Sequence, residues 1–115
     1  MRALRAVKCS MQGLEAAWKN ESAFRQEATL AVLFMPLGCW LGETIVQKLF
    51  LVALVVLVLI VEILNSAIEA TVDRVGSDYH ELSGRAKDLG SAAVFLALSC
   101  TGFCFLAIAI NRFVL

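Results

Sequence analysis

A long apolar run that passes directly into a series of acidic and amide side chains is the feature that most constrains this chain. Residues 49–61 are all hydrophobic, and polar side chains then recur at helical spacing. The members of this polar stripe are Glu62, Asn65, Ser66, Glu69 and Asp73. Successive helical residues are rotated by about 100°, so the five fall within one arc of similar width. Charged groups are costly at membrane depth and usually line a site or a pore, which predicts that the chemistry lies along this stripe.

The composition predicts an integral membrane protein built from helices. Of the 115 residues, 60% are hydrophobic and 17% are charged, which is too apolar for an ordinary soluble domain. Backbone polar groups must pair internally in lipid, so we expect helical spans of roughly 20 mainly apolar residues. Three spans are predicted, at about residues 22–41, 48–75 and 84–111, with Ser83 as the N-cap of the third.

The first segment of the chain is predicted to be an amphipathic helix in the membrane interface. Within residues 1–20, basic side chains alternate with apolar ones at three- and four-residue steps, and Trp18 suits the headgroup layer. The sequence shows no internal repeat and no flexible linker. We therefore expect one all-α domain over residues 1–115, with a surface helix followed by a bundle of three transmembrane helices.

The distribution of basic residues predicts the orientation in the membrane. Lysine and arginine are frequent before the first span and after the second, whereas the other two connections carry only Lys48 and Arg112. By the positive-inside rule the N-terminus is cytoplasmic and the C-terminus lies outside. The formal net charge is zero, which gives no indication of a nucleic-acid partner.

The polar residues near the predicted inner surface favour phosphoryl transfer. Oxygen ligands without histidine or cysteine suit Mg²⁺, which usually takes one or two carboxylates and substrate phosphates. Arg2, Arg25 or Lys87 could neutralise those phosphates. A deep carboxylate such as Glu62 could accept a proton from a hydroxyl. The chain lacks the glycine-rich phosphate loops of soluble kinases. The polar residues alone therefore do not distinguish an enzyme from an ion-coupled carrier.

Structural interpretations of the same residues are also open. Glu62 could be a structural partner of Asn65 or of a polar group on another helix. Glu69 and Asp73 could be solvated or paired with Arg74. Glu21 and Arg25 have the spacing of an ordinary helical ion pair. The positions of the cysteines indicate small residues packed between helices and do not indicate a disulfide framework.

Two long motifs in this chain resemble the bacterial integral-membrane diacylglycerol kinase family. The first is VEILNSAIEA at residues 61–70, continued by VDR at 72–74. The second is YHELSGRAKD at residues 79–88, followed by GSAA at 90–93. The segment AAWKNESAFRQE at residues 16–27 is also similar to the family. The related undecaprenol kinases share the Glu-Asn-Glu stripe, but the second motif looks more like the diacylglycerol branch.

The resemblance implies a homotrimer with active sites shared between subunits, which makes phosphatidic acid from diacylglycerol and MgATP at the bacterial inner membrane. It implies that Glu62 is the general base, supported by Asn65, and that Glu21 and Glu69 hold Mg²⁺. The residues implied to contact the nucleotide are Arg2, Asp78, Tyr79, His80, Lys87 and Asp88. The residues implied to line the lipid path are Trp18, Ala23, Phe24, Arg25, Gln26, Glu27, Trp40 and Ser91.

Two other functions are kept as alternatives. An undecaprenol kinase would use the same mechanism on a longer alcohol. A small cation-coupled carrier would transport a solute without ATP, and it would favour four spans where this sequence predicts three.

Overall fold

The computed structural model describes residues 1–76, 78 and 80–115, and these form four helices joined by short connections. The helices are α1 (Arg2–Asn20), α2 (Ser22–Leu41), α3 (Ile45–Val75) and α4 (Glu81–Phe113). No strand occurs in these residues. The prediction of an all-α chain is therefore confirmed.

Side-chain caps explain where the two long helices begin. The hydroxyl of Thr44 accepts a hydrogen bond from the backbone N–H of Gln47 at 3.1 Å, so α3 starts before the predicted residue 48. At α4, the ring nitrogen Nδ1 of His80 accepts from the backbone N–H of Leu82 at 3.1 Å. The prediction of Ser83 as the N-cap is wrong. The N-cap of α4 is His80, three residues before Ser83, and its side chain accepts one of the backbone N–H groups that have no partner within the helix.

Within the described residues, two helices are long and apolar enough to cross a membrane, namely α3 with 31 residues and α4 with 33. These correspond to the second and third predicted spans. The predicted first span coincides with α2 but is not among the helices that pass by length and composition. Its first turns contain Arg25, Gln26 and Glu27, which lower the apolar content of the helix.

The core of the bundle lies where α3 packs between α2 and α4. Leu51 of α3 is completely buried, and Phe105 of α4 is buried beside it. The Phe105 ring meets Phe34 of α2 edge to face, with 5.6 Å between ring centroids. These contacts place α3 at the centre of the three-helix bundle, while α1 packs against α2.

Arg112 ties the end of α4 to the end of α2. Its guanidinium donates hydrogen bonds to the backbone carbonyls of Trp40 at 2.7 Å and Leu41 at 3.2 Å. It also lies 5.3 Å from the centre of the Trp40 ring. Because the last carbonyls of a helix lack partners within the helix, this contact completes the C-terminus of α2 and fixes one end of the bundle.

Candidate active site

A polar cleft of about 380 Å³ opens at the end of the bundle where α2 begins. The α1–α2 junction and helices α2, α3 and α4 all contribute to its walls. The residues that line it are Asn20, Glu21, Ser22, Ala23, Glu27, Glu62, Asn65, Glu69, Ser91 and Val94. We call this the polar cleft. It contains seven of the predicted site residues.

Helix α3 supplies the deepest polar groups of the polar cleft. Glu62 is 4% exposed, and Asn65 is 8% exposed. The amide nitrogen Nδ2 of Asn65 donates to Oε1 of Glu69 at 3.2 Å, one helical turn further along. The predicted stripe is therefore buried at Glu62, Asn65 and Ser66, partly buried at Glu69 and exposed at Asp73. Within it, the Asn65 amide orients the Glu69 carboxylate.

Four carboxyl groups line the polar cleft, and no basic side chain among the described residues does. Glu21 sits in the extended junction that ends α1 and begins α2. Glu62 lies within electrostatic range of Glu21, Glu27 and Glu69. Acidic groups gathered in a confined cleft concentrate cations, so this arrangement favours a positively charged ligand.

Two oxygens at this cleft are buried without a hydrogen-bond partner in the part of the chain that the structure describes. They are Oε2 of Glu27 and Oδ1 of Asn65. Buried polar atoms in proteins are nearly always paired, and an unpaired one costs about 1–3 kcal/mol. Both residues line the polar cleft, so their free oxygens are suited to a ligand's polar groups.

The donor set of the polar cleft fits Mg²⁺ held partly by phosphates. Among the residues described, no three histidine, cysteine, aspartate or glutamate side chains are grouped to hold a metal by themselves. Mg²⁺ does not need such a group, because it usually takes one or two carboxylates and completes its shell with water and substrate phosphates. Glu21 and Glu69 offer two carboxylates in one cleft.

A second cleft, of about 260 Å³, lies at the connection between α3 and α4. Its lining residues are Val72, Asp73, Gly76, Asp78, His80, Ser83, Gly84 and Lys87. We call it the turn cleft. Nζ of Lys87 binds Oδ1 of Asp73 at 2.8 Å. Asp73, a member of the predicted polar stripe, is therefore paired with Lys87 and not with Arg74, the alternative partner that the sequence offered.

The residues predicted to contact nucleotide fall mainly around the turn cleft. Asp78, His80 and Lys87 line it, and Asp88 is exposed next to it along α4. Tyr79 lies outside the described residues. Arg2 is exposed at the first turn of α1 and lines neither cleft.

Several residues predicted to line the lipid path lie outside the polar cleft. Trp18 is half exposed on α1, and Phe24 is buried against the neighbouring helices. The Arg25 guanidinium donates to the backbone carbonyl of Trp18 at 2.8 Å, and together with Gln26 it borders a shallow surface depression on α2. Trp40 lies at the opposite end of α2, beside Arg112.

An apolar groove adjoins the polar cleft at Glu27. The groove has a volume of about 250 Å³ and runs between α2, α3 and α4. Besides Glu27, its lining residues are Leu30, Ala31, Phe34, Val55, Val58, Leu98, Thr101, Gly102 and Phe105. Because Glu27 lines both spaces, a ligand with a polar head and an apolar tail could occupy them together.

Sequence reasoning missed two features of these sites. Asp73 and Lys87 are fourteen residues apart on different helices, so no local spacing indicates their pairing. Gly90 lies directly against the Asn65 side chain, and the sequence predicts no role for it. The only signal in the sequence is its position in the GSAA motif, next to Ser91.

Comparisons with known proteins agree with the resemblance found in the motifs. The family model described as prokaryotic diacylglycerol kinase matches residues 8–109. The diacylglycerol kinase of Escherichia coli strain K12 is 57% identical over 97 residues, which cover 84% of this chain and 80% of that protein. The diacylglycerol kinase of Haemophilus influenzae is 52% identical over 99 residues, or 86% and 84% of the two chains. The one from Pseudomonas aeruginosa is 48% identical over 98 residues, or 85% and 80%. This chain belongs to the prokaryotic diacylglycerol kinase family.

Proposed function

We propose that this protein is a membrane lipid kinase that transfers the γ-phosphoryl group of MgATP to the free hydroxyl of diacylglycerol, giving phosphatidic acid. The observation that supports it most directly is the meeting of the polar cleft and the apolar groove at Glu27. A glycerol head beside the carboxylates and acyl tails in the groove would match the two linings. Family membership, together with relatives named diacylglycerol kinase, supports the same activity.

Glu62 is proposed as the general base. It is nearly completely buried in the polar cleft, close to the start of the groove where the lipid hydroxyl would lie. The Glu62 carboxylate takes the hydroxyl proton as the lipid oxygen bonds to the γ-phosphorus and the bond to the β-phosphate oxygen breaks, which releases ADP. Asn65, one turn away, supports the base.

Glu21 and Glu69 are proposed to hold Mg²⁺ together with the ATP phosphates. The ion would neutralise charge that develops on the transferred phosphoryl group. The hydrogen bond from Asn65 orients Glu69, and Glu21 lies in the α1–α2 junction, which lines the same cleft. Both roles depend on residues that line the same cleft.

The turn cleft is proposed to bind the nucleotide beyond the phosphates. Asp73, at its edge, follows Glu69 by one turn of α3, so an ATP molecule could extend from one cleft toward the other. The proposed nucleotide contacts are Arg2, Asp78, Tyr79, His80, Lys87 and Asp88. The proposed lipid contacts are Trp18, Ala23, Phe24, Arg25, Gln26, Glu27, Trp40 and Ser91.

The proposed assembly is a homotrimer in the bacterial inner membrane with active sites shared between subunits. Support comes from α4, which leaves large apolar side chains such as Phe95 and Phe103 about 70% exposed for lipid or other subunits. Each single-domain subunit would have α1 as a surface helix and α2, α3 and α4 as spans. The N-terminus would be cytoplasmic and the C-terminus periplasmic. Crosslinking in native membranes that gave only monomers would contradict the trimer.

A mixed-micelle assay with MgATP tests the activity. We expect purified protein to form phosphatidic acid from a short-chain diacylglycerol and to do so only with a divalent cation. Activity on undecaprenol alone would replace the proposed substrate. The absence of phosphoryl transfer to either alcohol, with cation-dependent solute uptake into vesicles, would support the carrier instead.

A further inference from the structure

Gly90 of α4 is packed against the end of the Asn65 side chain, which leaves no room for a Cβ atom at position 90 unless the Asn65 amide moves. A Cβ atom built on Gly90 would overlap Oδ1 of Asn65 and would lie 3.2 Å from its Cγ. The next neighbour, Cδ1 of Ile68, would be at an ordinary contact distance of 3.7 Å. The space that a side chain would take is therefore filled by the Asn65 amide and by little else.

The Asn65 amide lies between Gly90 and the Glu69 carboxylate. With Oδ1 lying against the Gly90 backbone, the other end of the amide, Nδ2, faces Glu69 and donates to its Oε1 at 3.2 Å. Oδ1 itself has no hydrogen-bond partner among the residues that the structure describes, so no other polar contact holds the amide in this orientation. The steric fit to Gly90 and the bond to Glu69 together fix the side chain.

We propose that Gly90 is a positioning residue, which acts through Asn65 to hold the Glu69 carboxylate in the geometry that binds the metal–nucleotide complex. The inference rests on the proposed function of the polar cleft. A methyl group at position 90 would push Oδ1 of Asn65 aside and turn Nδ2 away from Glu69. The carboxylate would then lose its fixed partner and would bind a divalent cation less well.

The first test is the Gly90→Ala variant, measured without turnover. Binding of Mn²⁺ with a non-hydrolysable ATP analogue is followed by electron paramagnetic resonance in detergent micelles. We expect the apparent affinity to fall roughly tenfold, as for loss of a hydrogen bond to a charged group. In the kinase assay the apparent KM for Mg²⁺ should rise, while the KM for diacylglycerol stays unchanged. Unchanged Mn²⁺ affinity in a folded variant would overturn the inference.

A double variant separates action through Asn65 from general crowding. Asn65→Ala removes the atoms that the new methyl group would meet, so adding Gly90→Ala to it should cost no further Mn²⁺ affinity. If the two effects multiply, Gly90 does not act through Asn65 and the inference fails. Should Gly90→Ala alone not fold, the double variant must fold as well as Asn65→Ala does, and an unfolded double variant would also contradict the inference.

Two other glycines provide matched controls. Gly38 is also crowded, but by apolar groups at the other end of the bundle, where a Cβ would be 3.0 Å from Cβ of Leu51. Gly38→Ala should lower stability without changing Mn²⁺ affinity. Gly13 in α1 has nothing within 4 Å of an added Cβ, so Gly13→Ala should change neither quantity. If wild-type protein formed no phosphatidic acid yet Mn²⁺ binding followed this pattern, the proposed reaction would fail while the positioning role stood.

Discussion

Each half of α3 buries one face in the bundle, and the two buried faces differ in chemistry, since the first is apolar and the second is polar. The first half buries Leu51, Leu54, Val55 and Val58, which pack against α2 and α4. The second half buries Glu62, Asn65 and Ser66 along the same helix. Apolar packing stabilises the first half directly, whereas the second half holds carboxyl groups together with an unpaired amide oxygen. One helix thus separates the part that holds the bundle together from the part that carries the proposed chemistry.

This contrast supports the proposal that ligands bind along the second half of α3. Buried oxygens without a partner among the described residues, together with neighbouring carboxyl groups, raise the free energy of this part of the protein. A divalent cation with its phosphates would relieve the repulsion, and a lipid hydroxyl would supply a hydrogen-bond partner. The first half needs no such completion, so changes in the two halves should have different consequences.

The largest expected effect is the loss of turnover in Glu62→Gln. Glutamine keeps the shape of the side chain but cannot take the lipid's proton, so kcat should fall about 1,000-fold, within the range for a general base. Phosphatidic acid formation in mixed micelles measures this. The unfolding midpoint in a detergent titration should stay at or above the wild-type value, because a buried charge has been removed.

The matched control is Glu43→Gln, which changes an exposed carboxyl group at the opposite end of the bundle. It should leave kcat unchanged. If Glu62→Gln retained more than a tenth of wild-type turnover, the base would have to be another group.

The next largest effect is expected for Glu69→Gln. Replacing one carboxylate of the proposed metal pair should raise the Mg²⁺ concentration at half-maximal rate about 100-fold, because the ion loses a charged ligand. A Mg²⁺ titration of the kinase rate at fixed diacylglycerol measures this. Glu21→Gln should shift the same titration to higher Mg²⁺ concentration, although Glu21 lies in the α1–α2 junction and Glu69 in α3. A change confined to the KM for diacylglycerol would contradict the assignment of either residue.

Much of the helical architecture and the centre of the site could be predicted from the sequence, because both depend on local periodicity. The stripe of Glu62, Asn65 and Glu69 follows from helical spacing after an apolar run, and all three line one cleft. The helices themselves lie within a few residues of the predicted segments. Spacing along one helix is sufficient to determine which side chains share a face.

Features that depend on contacts between helices could not be predicted. The pair formed by Asp73 and Lys87, and the fit of Gly90 against Asn65, join α3 to α4. Spacing along each helix does not determine how α4 is rotated relative to α3, and this rotation decides which of their side chains meet. The position of Glu27 between the polar cleft and the apolar groove also follows from packing, although its motif indicated a lipid contact.

In the first half of α3, Leu51→Ala should lower stability without altering the chemistry. Leu51 is completely buried, and its truncation leaves a cavity that costs about 2 kcal/mol, at the low end for such changes. Unfolding in a detergent titration should occur at lower detergent fraction. The kcat and the KM for Mg²⁺ of the folded protein should match wild type. A Mg²⁺ titration shifted as strongly as in Glu69→Gln would mean that the two halves of α3 are not separable.

The smallest expected effect is that of Asp73→Asn in the turn cleft. The pair with Lys87 is short, at 2.8 Å, but both side chains are largely exposed, at 66% for Asp73 and 44% for Lys87. Water screens such a pair, so its loss should raise the KM for ATP by less than about fivefold. Lys87→Met is the comparison, since it removes the proposed nucleotide contact itself and should raise the KM for ATP further. Equal effects of the two variants would mean that Lys87 serves mainly to hold Asp73. An Asp73→Asn defect as large as that of Glu69→Gln would instead extend the metal-binding set beyond the polar cleft, because only a directly bound carboxylate has that much influence on the ion.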